Sequence, residues 1–193
     1  MSSPRVISLV GAAATLSLMA CIQWHVDPER QSYEDLVARS AFVGVVEIES
    51  RERVYTDGDQ CGFAYTASVK ESLKGDHHRV SFFGSTRSPE IAQGQRYFAV
   101  LFDVPDPEGH HAERVRRAFG CMRQAGDFYF RAEPLTLLPF DVDGRQIVSS
   151  GGQTVLSISE IERVHRRTTD GIEEELFAWS LVKEHLPIPS AQQ

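Results

Sequence analysis

Ala41-Phe42-Val43-Gly44-Val45-Val46-Glu47-Ile48-Glu49 decides how this chain is read. Phe42, Gly44, Val46 and Ile48 alternate with Val43, Val45, Glu47 and Glu49, the period of a strand. Its first half is apolar on both faces and its second half turns polar on one, so it starts covered and emerges into solvent. Gly44 inside a strand marks a sharp bend or a close backbone approach, as where the strands of a small barrel coil. Upstream, Ser32 is placed to cap a short helix, with Tyr33, Leu36, Val37 and Ala41 at helical spacing. Downstream, Thr56-Asp57-Gly58-Asp59 is a turn; its acids lack the ligand spacing of an EF-hand loop.

Further strand patterns follow in order. Phe63, Tyr65, Ala67 and Val69 alternate with small or polar residues up to Leu73, and Lys74-Gly75 stops that strand. Val80 to Phe83 is a third strand. Tyr97 to Phe102 is apolar on both faces and is expected to be the most buried. Asp103 to Arg117, rich in Pro, Gly and charge, reads as a long surface excursion with a helical turn near Ala112 to Ala118. Phe128-Tyr129-Phe130 and Leu135 to Phe140 are short strands. Phe140 to Val148 is a hairpin in which Asp143-Gly144 supplies the positive φ angles. Two helices are expected at the end. One is capped by Ser157 and Glu160, with Ile158, Ile161 and Val164 behind. The other starts at Asp170-Gly171 and carries Ile172, Leu176, Trp179, Val182 and Leu186 as one stripe. The fold class is mainly β with flanking helices.

The first twenty residues form an address. Arg5 precedes an uncharged, mostly apolar run from Val6 to Ala20, too short for the ~20 residues of a spanning helix. Leu18-Met19-Ala20-Cys21 resembles the lipobox of bacterial lipoproteins, which implies a lipid on Cys21 and an extracytoplasmic, membrane-anchored protein. That resemblance implies the outer membrane or the periplasmic face, since Ile22 rather than Asp follows Cys21. An ordinary signal peptide cleaved nearby is the other reading. With Cys21 set aside, Cys61 and Cys121 remain, an even count for an exported chain. Paired, they close a loop of about 60 residues, worth about 4 kcal/mol in the chain-entropy model. Two separate buried thiols are the alternative.

The 193 residues carry a formal charge of −7, or −8 from Cys21 onward because Arg5 is the one charge before it. An acidic chain lacks the electrostatic footprint of a nucleic-acid binder and does not favour adsorption to anionic lipid head groups.

The helix leading into Ala41-Phe42-Val43-Gly44-Val45-Val46, the strand ending Leu73-Lys74-Gly75, and Gly94-Gln95-Arg96-Tyr97-Phe98-Ala99-Val100-Leu101 together resemble bacterial exported proteins with a netrin-like module. This is the OB-type barrel also seen in tissue inhibitors of metalloproteases. The resemblance spans about Tyr33 to Val164. It implies a five- or six-stranded antiparallel OB-like barrel with C-terminal helices. Residues 1–20 are then a signal peptide, 21–31 a tether, 32–165 the barrel, and 166–193 a helix packed on it. Protease inhibition in that family uses a free N-terminal Cys on the protease zinc. A lipidated Cys21 followed by Ile22-Gln23 departs from that start, so inhibition is not carried over with the fold.

Motifs for chemistry are sparse. No Gly-x-Ser-x-Gly elbow, phosphate loop or dinucleotide fingerprint occurs, and no cofactor is expected. His77-His78 and His110-His111 are adjacent pairs that share a metal poorly. Asp103, Asp106, Glu108, His110 and His111 read either as a loop metal site or as a solvated loop. Arg114, Arg116, Arg117 and Arg123 form a basic patch in an acidic chain, suited to an acidic partner or simply solvated. Phe63, Tyr65, Phe82, Tyr97 and Phe128 read as core, with Tyr65 and Tyr97 on an exposed barrel face as the alternative. The function expected is a lipid-anchored binding module for an unidentified envelope or extracellular protein, with no catalytic activity. An inhibitor of an exported protease and a metal-binding protein are the alternatives.

Overall fold

A computed structural model describes residues 33–86, 88, 90–106, 112–130, 136–150, 164–186 and 188. The expected leader and tether, Cys21, Glu108, His110, His111 and the Ser157–Glu160 capping box lie outside the described residues. Helix α1 (Tyr33–Arg39) leads into β1 (Phe42–Thr56), β2 (Asp59–Lys74), β3 (Arg79–Ser85) and β4 (Arg96–Asp103). Helix α2 (Glu113–Ala125) follows, then β5 (Phe128–Tyr129) and β6 (Leu137–Pro139). The chain goes on through β7 (Gln146–Ser150), β8 (Val164–Arg167), β9 (Glu173–Ala178) and α3 (Trp179–His185).

The fold is mainly β, with small helices. Strand β1 pairs with β2 from Val43 to Thr56, and its first six residues pair with β4, from Phe42–Leu101 to Glu47–Arg96. The order β1-β2-β3-β5-β4 thus returns to β1 as a barrel-like ring, and β6 adds to β4. The expected all-antiparallel pairing needs one correction: β5 runs parallel to β3, because α2 carries the chain back between β4 and β5.

All five ring strands send apolar side chains inward. Phe42, Val46, Ile48, Tyr65, Ala67, Val80, Phe82, Tyr97, Ala99, Leu101 and Phe128 form that core, and Ile91 joins it. The outer faces of β1 and β4 carry Val43, Val45, Phe98, Val100 and Phe102. They pack with Leu36 and Val37 of α1, Val182 of α3, Leu186 beyond it, and Phe177 and Ile147 of the second sheet. Both faces of β4 are therefore buried, as its sequence indicates. Two polar clamps tie the covering helices to the ring. Lys74 donates to the Val37 and Ala38 carbonyls at 2.9 and 3.0 Å, at the C-terminal end of α1, where the Val37 carbonyl also accepts from the Ser40 hydroxyl at 2.8 Å. Glu71 accepts from Trp179 Nε1 at 3.1 Å and from Lys183 Nζ at 2.9 Å.

Several expected elements change. Strand β1 runs on to Thr56 rather than ending near Glu49, and β2 starts at Asp59 rather than Phe63. Asp57 (φ 53°) and Gly58 (φ 89°) make the tight turn between them. The helical turn near Ala112 is a full thirteen-residue helix. In the Phe140–Val148 hairpin, Gly144 alone has positive φ; the Asp141 carboxylate accepts from the Arg145 and Gln146 N–H groups and shapes that turn. Val164 begins a strand. Residues 173–178, expected as the first turns of a long helix, are strand β9, flanked by β7 and β8 in a three-stranded sheet. The C-terminal helix starts only at Trp179.

Gly44 sits where β1 crosses β2 with a register shift, and a Cβ there would overlap the Glu71 carbonyl and press on the Phe42 ring. Gly120, on α2, faces open space. Gly44→Ala is therefore expected to destabilise the protein by about 1–3 kcal/mol. Gly120→Ala is expected to stabilise it by about 0.5–1 kcal/mol. Urea unfolding of the two variants checks the opposite signs.

Candidate functional site

The β1–β2 hairpin extends past the ring as an arm, and α2 lies against one face of it. Val115, Phe119, Met122 and Ala125 recur at helical spacing and give α2 an inward side. Val54, Phe83, Cys121 and Ala125 are its buried contacts, with Cys61, Ala64, Met122 and Tyr129 around them. This is a small cluster. Cys61 on β2 and Cys121 on α2 stand at disulfide distance within it, Cα atoms 6.4 Å apart. Arg117 adds an ion pair with Asp57 at the arm's turn, and that carboxylate raises the arginine's pKa further, keeping it charged.

Between arm and helix lies a cleft of about 420 Å³, lined by Thr56, Asp59, Cys61, Glu113, Arg114, Arg117 and Ala118. Arg114, Arg116, Arg117 and Arg123 are all exposed on α2. Arg114 and Arg117 are one turn apart beside the cleft; Arg116 and Arg123 are two turns apart. The helix thus divides the basic residues singled out from the sequence: Arg114 and Arg117 border the cleft, and Arg116 and Arg123 lie together farther round the helix. Guanidinium groups offer forked N–H donors to carboxylates, so the arrangement suits ion pairing with an acidic surface.

Tyr65 and Tyr97 are placed elsewhere. They are 1% and 4% exposed and lie inside the ring, so neither forms an exposed binding face. Tyr65 stacks on Phe82 with centroids 5.4 Å apart. The Tyr97 hydroxyl accepts from Ala92 N–H at 2.9 Å and donates to Gln95 Oε1 at 3.0 Å. The alternation of Tyr65 with small or polar residues, and the two-sided apolar run that begins at Tyr97, point to that core placement. His77 is half-buried, with its ring edge-on to Phe42 and Phe128 at 6.2 and 5.3 Å, and so closes an end of the core. His78 is exposed, as are Asp103 and Asp106. Among the described residues no group of three or more His, Cys, Asp or Glu side chains is placed to hold a metal. A second cleft, of about 590 Å³, is lined by Glu47, Gly94, Gln95, Arg96 and residues Phe140 to Gly144. Its Glu47 already meets Arg96 and Lys70, each at 3.5 Å.

No helix among the described residues is long and apolar enough to cross a membrane. In comparisons with family models, curated proteins and solved structures, nothing matches the chain.

The cluster under α2 is small, so Cys61→Ser/Cys121→Ser is expected to lower stability by up to about 4 kcal/mol. Reductant should lower the melting temperature of the parent protein and leave that of the double variant unchanged. Burial raises the Tyr65 and Tyr97 pKa values, since the phenolate is poorly solvated inside the ring. Their stabilising effect is complete below the ordinary tyrosine value of about 10 and is lost as pH rises through the higher folded values. Tyr65→Phe should therefore make stability fall less steeply above about pH 10, as read by denaturant unfolding at stepped pH.

Proposed function

We propose that this chain is a lipid-anchored, extracytoplasmic module of the OB type that binds an acidic protein partner through α2. Two features support the scaffold reading. The ring order β1-β2-β3-β5-β4-β1, with β3 and β5 parallel, supports reading the barrel-like ring as a five-stranded OB type. The sequence resemblance to the netrin-like module covers the same strands. The leader ending Leu18-Met19-Ala20-Cys21 supports acylation of Cys21 and a place at the outer membrane or the periplasmic face. That compartment also suits an oxidised Cys61–Cys121 bridge.

The observation that carries the function is the exposed arginine set on α2. Arg114, Arg116 and Arg123 have no carboxylate partner among the described ion pairs, in a chain of net charge −7. A bridge between Cys61 and Cys121 holds that helix to the arm, so little ordering entropy opposes docking. Binding modules gain specificity and association rate from charge fields of this kind.

Mass spectrometry of the protein from its native envelope is expected to find an acylated N-terminal Cys21 peptide. A photo-crosslinker at Ala118 should yield a discrete protein adduct in that envelope. Arg114→Glu/Arg116→Glu should reduce the adduct about tenfold. Unmodified Cys21 would remove the anchor from the proposal, and an adduct indifferent to the charge reversal would remove α2.

A further inference from the structure

We propose that the outer edge of β1 beyond the ring, residues 50–56, accepts an extended acidic segment of another protein as an added strand. This rests on the reading of the chain as a protein-binding module and names a second way in which it engages its partner.

The edge is open for a definite reason. β4 covers it from Phe42 to Glu47. At Ile48, Gly94 N–H and Gln95 C=O complete the coverage at 2.8 and 3.2 Å. At Glu49 the carbonyl accepts from the Gln93 side chain at 2.6 Å. From Ser50 to Thr56, β1 pairs with β2 alone, and no strand among the described residues lies along its other side. Such an edge carries a row of backbone donors and acceptors that a further strand can satisfy. The arm is also held in place, although its ladder with β2 shifts register between Val54 and Tyr55: Val54 is 7% exposed and packs beneath α2, and Asp57 is tied to Arg117.

The side chains along the edge select the occupant. Arg51, Glu52 and Arg53 are exposed and Tyr55 is 49% exposed. Arg51 and Arg53 stand on the face opposite Val54, across from Tyr65 and Phe63. The Arg51 guanidinium rests 3.8 Å above the Phe63 ring, and its ion pair with Glu90 is long, 4.0 Å, and open to solvent. A second copy of this chain is a poor occupant in the registers centred on these charged residues. Two-fold antiparallel pairing centred on residue 51, 52 or 53 opposes Arg51 to Arg51, Arg51 to Arg53, or Arg53 to Arg53. Like charges directly opposite destabilise a pair of strands. A heterologous strand with carboxylates at alternate positions meets both arginines on one face, while its backbone completes the ladder.

Selection of a displayed random-peptide library on the full chain tests this. Enriched peptides are expected to carry acids at alternate positions and to protect the amides of residues 50–56 from hydrogen exchange. Arg51→Glu/Arg53→Glu should weaken them about tenfold. N-methylation of the peptide at one set of alternate residues should abolish binding, while the other set is tolerated. The N-methyl pair decides the matter even if the double variant folds poorly. Protection at α2, with loss in Arg114→Glu/Arg116→Glu only, overturns the added strand and leaves the partner-binding proposal standing. No enrichment, or equal tolerance of both methylation sets, also overturns it.

Discussion

Everything else in this structure follows from β1 being paired on both sides in its first part and on one side thereafter. From Val43 to Glu47 the strand is held by β2 and β4 together, and that double ladder closes the ring. Closure requires the strand to coil sharply, which it does at Gly44, where the register shifts and no Cβ fits. It also requires cover on both faces. Phe42 and Val46 face the ring interior, while Val43 and Val45 lie under α1, α3 and the second sheet. Once β4 ends its partnership, β1 loses its outer neighbour, and the same strand becomes an arm with one free edge.

The arm explains why α2 is where it is. Residues 50–56 and 59–62 need cover on the face that carries Val54, and the connection between β4 and β5 supplies it. The cover is thin, since Cys121 and Ala125 are the buried residues of the helix. So little buried apolar surface contributes modestly to holding a thirteen-residue helix that carries four arginines. An exposed ion pair such as Arg117–Asp57 contributes little more. The Cys61–Cys121 pair, at disulfide distance, is the further contact between helix and arm. A basic helix thus lies against the arm of an acidic molecule, and the proposed partner binding rests on that arrangement.

Much of this was legible in the residues. Alternation in Phe63-Ala64-Tyr65-Thr66-Ala67 and the two-sided run Tyr97 to Phe102 follow directly from which faces are buried. The arm was not, because Ser50 to Tyr55 is charged or polar at most positions and a one-sided, solvated ladder leaves little hydrophobic signal. Helix α2 was half visible. Its apolar stripe of Val115, Phe119, Met122 and Ala125 is interrupted by Arg116, Arg117, Gly120 and Arg123, and the Pro- and Gly-rich residues before it suggest a loop. The basic patch was found as a composition and gained its geometry only from the helix.

The C-terminal region shows how two periods compete for the same residues. Ile172, Leu176 and Trp179 are spaced as a helix stripe, and Glu173 to Glu175 suit a helix start. Helix propensity distinguishes such residues from strand formers by only a few tenths of a kcal/mol each. The strand alternative offers more. Leu176 and Phe177 are 6% and 1% exposed, and burial of each side chain is worth roughly 1.5–3 kcal/mol. Leu176 lies between Val148 and Val164 in the sheet, and Glu174 accepts two hydrogen bonds from Arg166 at 3.0 and 2.6 Å. Long-range pairing therefore outweighs local preference up to Ala178. Only there does the chain turn helical, and that late start lets Trp179 pack on Phe98 and Phe140 while its indole N–H reaches Glu71 on β2. A helix begun at Ile172 would have no β7 and β8 partners for its first turns, and the outer face of β4 would lose Phe177 from its cover.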